Sequence, residues 1–177
     1  MIMRLVASVV LMLAVGLALP AAQVKKGEVP GITNFSRVDA TVGCGGATQP
    51  AAMAELKKQG FNSVINLRVA TEDGANVDAG RSAAQTAGLK YIHLPFEVAS
   101  PDPKLVENFL AAVADTSNQP VYIHCGSANR VGAVWMIKRV LQDGWEIAKA
   151  QEEAEAIGLT NPKLKDFAVN YIRSHQK

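Results

Sequence analysis

A chain of 177 residues whose first stretch reads as an address has room for one domain with a single core and little for a second. Hydrophobic residues at 49% and charged residues at 19% are the proportions of a folded globular protein rather than a disordered one. A net charge of +2 excludes the concentrated basic surface that nucleic acid or an anionic membrane requires.

The chain opens with Arg4 and an apolar run from Leu5 to Leu19, broken only by Ser8 and Gly16 and followed by Pro20, Ala21 and Ala22. This run is short for a spanning helix and has the layout of a secretory signal. Residues 1–22 are therefore read as a signal peptide, 23–33 as an exposed lead-in and 34–177 as the domain. The alternative is an uncleaved N-terminal anchor; either way the domain is expected outside the cytoplasm, periplasmic or secreted. Only Cys44 and Cys125 supply thiols. In an oxidising compartment a structural disulfide competes with any catalytic reading of Cys125.

From Pro50 to Gln59 the pattern is helical, with Pro at the first turn and Gly60 just past the end. Ser63–Leu67 reads as a strand, 76–87 as a helix stopped by Gly88, and Leu89–Leu94 as a strand ended by Pro95. A helix over 103–115 places Leu105, Val106, Phe109, Leu110 and Val113 on one face. Val121–His124 is a short buried strand. The helix after it, 129–142, is apolar nearly all round and so should be central. Two more polar helices, 145–157 and 162–175, should pack outside, with Glu152, Glu153 and Glu155 on a solvated face. Strands alternating with helical crossovers predict an α/β domain with a mainly parallel sheet flanked by helices. Ligands bind at the carboxyl ends of such strands, after Leu67, Leu94 and His124.

After the last strand comes Cys125-Gly-Ser-Ala-Asn-Arg130, then the buried helix. Successive backbone amides in such a loop form an anion nest. The helix adds orphan N–H groups and the positive end of its dipole. Arg130 can place a bidentate fork on two oxygens of a phosphate-like group. The same field favours a Cys125 thiolate that attacks an electrophile held in the nest. Taken singly, each residue has a plainer role: Cys125 as buried filler, Asn129 as helix cap, Arg130 as a solvated first-turn side chain. It is their conjunction that points to function.

His124-Cys125, the small-residue loop and Arg130 resemble the signature of protein tyrosine and dual-specificity phosphatases. The segments Asn34–Val38, Gly45-Gly46 with Gln49-Pro50, Gly60-Phe61 through Arg68, and Gly88-Leu89 with His93–Pro95 resemble a bacterial dual-specificity-phosphatase-like family. That family includes the phosphatase-like domain of beta-lactamase-hydrolase-like proteins. The resemblance spans about Asn34 to Leu141 and implies a cysteine-phosphatase-like fold; no cofactor is expected, and no metal either, because His93 and His175 are far from any ligand spacing. It further implies a phosphorylated protein or small phosphoester as substrate and a cysteinyl-phosphate on Cys125. Arg130 and the amides from Gly126, Ser127, Ala128 and Asn129 would hold the phosphoryl oxygens, with His124 supporting from behind.

Three features depart from the phosphatase pattern. The loop has four residues between cysteine and arginine instead of five, Val131 stands where a serine or threonine assists thiolate departure, and the general acid is ambiguous. Asp102, just before Pro103, is the first candidate for that acid but is also a good helix cap; Glu97 is the reserve. The four-residue spacing also suits a rhodanese-type sulfurtransferase carrying a persulfide on Cys125, although the upstream rhodanese pattern has no counterpart here. A third reading is an inactive anion-binding module in which Cys44, expected in a glycine-rich turn, pairs with Cys125 as a redox switch. Arg68 is read either as a substrate contact or as a surface ion pair, and Glu72-Asp73-Gly74 as a polar turn.

Overall fold

The computed structural model describes residues 24–176; residues 1–22, expected to be a signal peptide, lie outside them. Six strands form one sheet: β1 (Lys25–Lys26), β2 (Ser36–Arg37), β3 (Val42–Gly45), β4 (Ser63–Asn66), β5 (Lys90–His93) and β6 (Val121–His124). Their order is β1-β2-β3-β6-β4-β5, with β3, β6, β4 and β5 parallel and the first two strands antiparallel at one edge. Helices α1 (Ala52–Lys58), α2 (Val77–Thr86), α3 (Pro103–Ala114), α4 (Asn129–Leu141), α5 (Ile147–Ile157) and α6 (Pro162–His175) complete the domain.

Side chains alternate across the central strands and divide the core in two. Ile65 and Ile123 face a large cluster with residues of α3 through α6, whereas Val64 and Tyr122 face a smaller one with Met53 and Leu56 of α1 and Ala84 of α2. Helix α4 is enclosed by α3, α5 and α6, and ten of its residues are buried. This is why it lacks the polar stripe of a surface helix.

Three expectations change. Part of the supposed exposed lead-in forms β1, Val29 is buried, and Val29 and Ile32 make isolated bridges. Cys44 lies inside β3 and not in a turn after it. Glu153 is buried, because its carboxylate accepts from Trp135 Nε1 at 2.8 Å and from Arg139 Nε at 2.6 Å and Nη2 at 3.1 Å. A buried carboxylate in a helix otherwise exposed at Glu152 and Glu155 requires such partners.

Helix α4 crosses the α5–α6 turn closely at Gly132. A Cβ there would lie 2.8 Å from Leu159 Cβ and 2.9 Å from the Ala154 carbonyl oxygen. Gly132→Ala gains up to about 1 kcal/mol in helix propensity but overpacks a site with no slack, at a cost of about 1–3 kcal/mol. Urea unfolding is expected to show net destabilisation, and a more stable variant would contradict this packing.

Candidate active site

Strand β6 occupies the middle of the parallel region, between β3 and β4, and delivers Cys125 to the carboxyl edge of the sheet. Cys125 is buried and its own N–H is used by the sheet, donating to Gly45 O at 3.3 Å. Beyond it the chain curls through Gly126 and Ser127, passes Ala128 in a left-handed conformation (φ 70°) and enters α4 at Asn129. The first intrahelical bond runs from Gly132 N to Ala128 O at 3.0 Å. The amides of Asn129, Arg130 and Val131 are therefore orphans by position. Those of Gly126, Ser127 and Ala128 donate to no backbone acceptor among the described residues.

Arg130 is buried above this loop, and its donors can be counted. Nη1 donates to Phe96 O at 3.0 Å, to Leu67 O at 3.3 Å and to Glu72 Oε1, while Nη2 donates to Glu72 Oε2 at 2.8 Å. A guanidinium has five N–H donors in a planar fork. The Nη1–Nη2 edge is committed to protein, which leaves Nε–H and the second Nη2–H as a parallel pair. Gly126 lies beneath this pair, since a Cβ on it would be 3.5 Å from Nη2. The Cys125 sulfur is also close enough to hydrogen-bond with Arg130 and, with Glu72, to favour its charged form against burial.

Glu72, which the sequence suggested was part of a polar turn, is the residue that aims Arg130. It accepts from Val69 N at 2.8 Å and from Arg68 Nε at 3.2 Å as well. Burial opposes its charge, but the hydrogen bonds from Arg130, Val69 and Arg68 and the charge of Arg130 outweigh this and hold its carboxyl at about 2. The ion pair that was one reading of Arg68 is present, to Glu72, but from a buried guanidinium. Arg68 has Nη1 on Gly74 O at 2.8 Å and Nη2 on Asp73 O at 2.5 Å, and so shapes the loop that presents Glu72. Arg68 and Glu72 are four residues apart, which was visible in the sequence; the pairing with Arg130, 58 residues away, was not.

His124 backs the loop by packing. Its ring stacks on Tyr122 with centroids 5.7 Å apart, and neither ring nitrogen has a hydrogen-bond partner among the described residues. Burial, helped by nearby Arg68, Arg130 and His93, lowers its pKa to about 3, so the imidazole is neutral. The two carboxylates proposed for proton transfer separate clearly. Asp102 is exposed and caps α3, accepting from Lys104 N at 2.8 Å, and it does not line the cleft. Glu97 does line it. That cleft holds about 380 Å³, with Ser127, Asn129 and Arg130 at one end and Val69, Val98 and Leu164 on its walls.

Cys44 and Cys125 are both buried free thiols. Cys44 pairs in register with Ile123, so Cys125 is two residues beyond its neighbour on the same sheet face. Ideal strand spacing puts the two Cα atoms roughly 8 Å apart, outside the range that a disulfide spans without backbone movement. Burial, with Glu153 and Asp39 nearby, pushes the Cys44 thiol well up.

A cysteine at the end of a central parallel strand, an amide-lined loop and an arginine on a buried helix define a cysteine-phosphatase-like fold. The chain belongs to the family described as the beta-lactamase hydrolase-like protein, phosphatase-like domain, whose model matches residues 35–142. Beta-lactamase hydrolase-like proteins of two Xylella fastidiosa strains are 32% identical over 103 residues, covering 57% of this chain and 23% of theirs. The chain thus spans about a quarter of the length of these curated relatives. Among solved structures, P. aeruginosa TpbA superposes with a TM-score of 0.67 at 21% identity, covering 89% of this chain and 92% of that one. A DUF442 protein of Shewanella putrefaciens CN-32 gives 0.69 at 22%, covering 83% and 94%. The core catalytic domain of the S. cerevisiae PP-IP phosphatase SIW14 gives 0.65 at 19%, covering 80% and 87%. TpbA has also been solved in complex with phosphotyrosine.

The depressed Glu72 carboxyl makes the site acid-sensitive. Its ordinary value is 4.5 and its folded value about 2, so its stabilisation is complete above about pH 4.5 and is lost as pH falls toward 2. Thermal unfolding across pH 2–7 is expected to show a steeper acid loss for the wild type than for Glu72→Gln; parallel profiles would refute the assignment.

Proposed function

We propose that the protein is a cysteine-dependent phosphatase acting on singly phosphorylated esters. The observation that carries this is the guanidinium of Arg130, fixed along one edge by Glu72 with its two remaining N–H groups facing an amide-lined loop that starts at Cys125. A phosphoryl group held there presents phosphorus to the Cys125 sulfur. The thiolate forms the S–P bond as the ester P–O bond breaks, and the leaving oxygen takes a proton from Glu97. Water then attacks phosphorus, gives a proton to the Glu97 carboxylate, and releases phosphate and thiolate. Arg130 and the amides from Gly126 to Arg130 stabilise the charge on the transferring group in both steps. Val131 supplies no hydroxyl to assist the departing thiolate, so the second step is expected to limit turnover.

The cleft also indicates substrate class. Arg130 is the one cation among its lining residues, and Glu72 and Glu97 face the same space. A second phosphate would meet carboxylates there, whereas an aryl or peptidyl group can pack on Val69, Val98 and Leu164. TpbA with its phosphotyrosine is in this respect a nearer precedent than SIW14. The leader-like residues 1–22 support action outside the cytoplasm.

Reduced mature protein is expected to hydrolyse p-nitrophenyl phosphate with a burst of nitrophenol, and Cys125→Ser to abolish it. Thiocyanate formation from thiosulfate and cyanide without phosphate release would instead assign a sulfurtransferase. Glu97→Gln should slow alkyl phosphates more than p-nitrophenyl phosphate, whose leaving group needs no proton. Asp102→Asn should leave that dependence unchanged; a selective loss in Asp102→Asn would exchange the roles of the two carboxylates.

A further inference from the structure

Ala128 adopts a conformation that side-chain-bearing residues avoid, φ 70° and ψ −2°, at full burial in the middle of the Cys125–Arg130 loop. Such a conformation persists where its surroundings over-determine it. The surroundings here are the turn between α5 and α6. Gly158, itself at φ 147°, approaches so closely that a Cβ would lie 2.9 Å from Ala128 Cβ and 3.4 Å from Ser127 O. Asn129 Oδ1 accepts from the amides of Thr160 and Asn161 at 2.7 Å each and from the Thr160 hydroxyl at 3.3 Å. Its Nδ2 reaches back to Ser127 Oγ at 3.3 Å. The turn is anchored from its far side too, because Lys26 Nζ and Asn34 Nδ2 both donate to Ile157 O at 3.1 Å.

The side chain of Asn129 thus leaves its own helix uncapped. Its amide can serve an anion, but its carboxamide holds a neighbouring turn. We propose that Asn129 is the positioning residue of the anion site: by binding the α5–α6 turn it fixes the curvature of the four-residue loop and keeps the amides from Gly126 to Arg130 aimed at one centre. The inference rests on the phosphatase reading above and adds to it a residue that acts through the loop backbone, not on the substrate. It also explains how a short loop keeps its shape around an alanine in a glycine-like conformation.

The test uses the mature protein and its Asn129→Ala, Asn129→Asp, Gly158→Ala and Thr160→Ala variants. Three quantities are measured: tungstate binding by calorimetry, kcat and KM on p-nitrophenyl phosphate, and the unfolding temperature. Asn129→Ala is expected to weaken tungstate binding and lower kcat/KM by roughly ten- to hundredfold, with kcat and KM both affected, because misaligned donors act on ground state and transition state alike. Asn129→Asp keeps the acceptor and should largely restore kcat while raising KM, since its charge faces the anion. Gly158→Ala leaves the Asn129 side chain intact, but its Cβ would meet Asn34 Nδ2 at 2.7 Å and Ala128 Cβ at 2.9 Å; it disturbs the same turn-to-loop contact from the turn's side and should reproduce the alanine phenotype. Thr160→Ala removes only the longest contact and should match the wild type. Should Asn129→Ala fail to fold, Asn129→Asp and Gly158→Ala still decide. A folded Asn129→Ala whose tungstate affinity and kcat/KM stay within twofold of wild type, or whose only change is a lower unfolding temperature, overturns the proposal while the phosphatase reading stands. A wild type that neither binds tungstate nor releases phosphate overturns both.

Discussion

Arg130 carries a full charge into the interior, and the functional edge of the domain is built around that charge. Its guanidinium is met by the carbonyls of Leu67 and Phe96 and by the carboxylate of Glu72, and so ties the ends of β4 and β5 to the start of α4. Removing one partner from a buried pair typically costs about 3–5 kcal/mol, because the remaining charge is left uncompensated. The support continues outward: Glu72 is held by Val69 N and Arg68, and Arg68 by the carbonyls of Asp73 and Gly74. Each member restricts the next, so the free side of the fork is aimed by residues that need not touch a substrate.

Helix α4 contains a second buried arginine one helical face further on, and the contrast is instructive. Every nitrogen of Arg139 faces a carboxylate: Nε and Nη2 meet Glu153, and Nη1 meets Asp143. Its plane lies against the Trp135 and Trp145 rings, 4.8 Å and 4.4 Å from their centroids. Glu153 thus occupies the Nε–Nη2 edge of Arg139. Arg130 differs in having an unspent Nε edge over a loop of unspent amides. Two guanidiniums on one helix therefore differ in which edge their neighbours occupy: Glu72 takes the Nη1–Nη2 end of Arg130, and Glu153 the Nε side of Arg139.

Much of this was legible in the chain. Helices with clear stop signals, such as the one ended by Gly88 and the one introduced by Asp102-Pro103, form at the expected places, because the signals are local. The loop from Cys125 to Arg130 was legible for the same reason: strand, small residues and buried helix are contiguous. Glu72 and Glu153 were not. Each sits among polar neighbours that suggest a solvated segment, and each is held by a partner that the fold supplies from elsewhere: Glu153 is buried against Arg139, and Glu72 is half-buried against Arg130. Strand β1 was hidden because two exposed lysines give no strand signal; their place comes from pairing with β2 and from Lys26 reaching Ile157 O. The function of Asn129 was hidden because its partners, Thr160 and Asn161, belong to a turn that carries no motif.

Strand β6 is the last strand in the chain and lies inside the parallel region, closed in by β3 on one side and β4 on the other. The same closure buries α4 under helices that follow it in sequence. An incompletely assembled chain therefore has a cysteine and an arginine but no fork aimed at a ring of amides. Site and completed architecture arrive together, so an unfolded chain carries the residues of the site without the site.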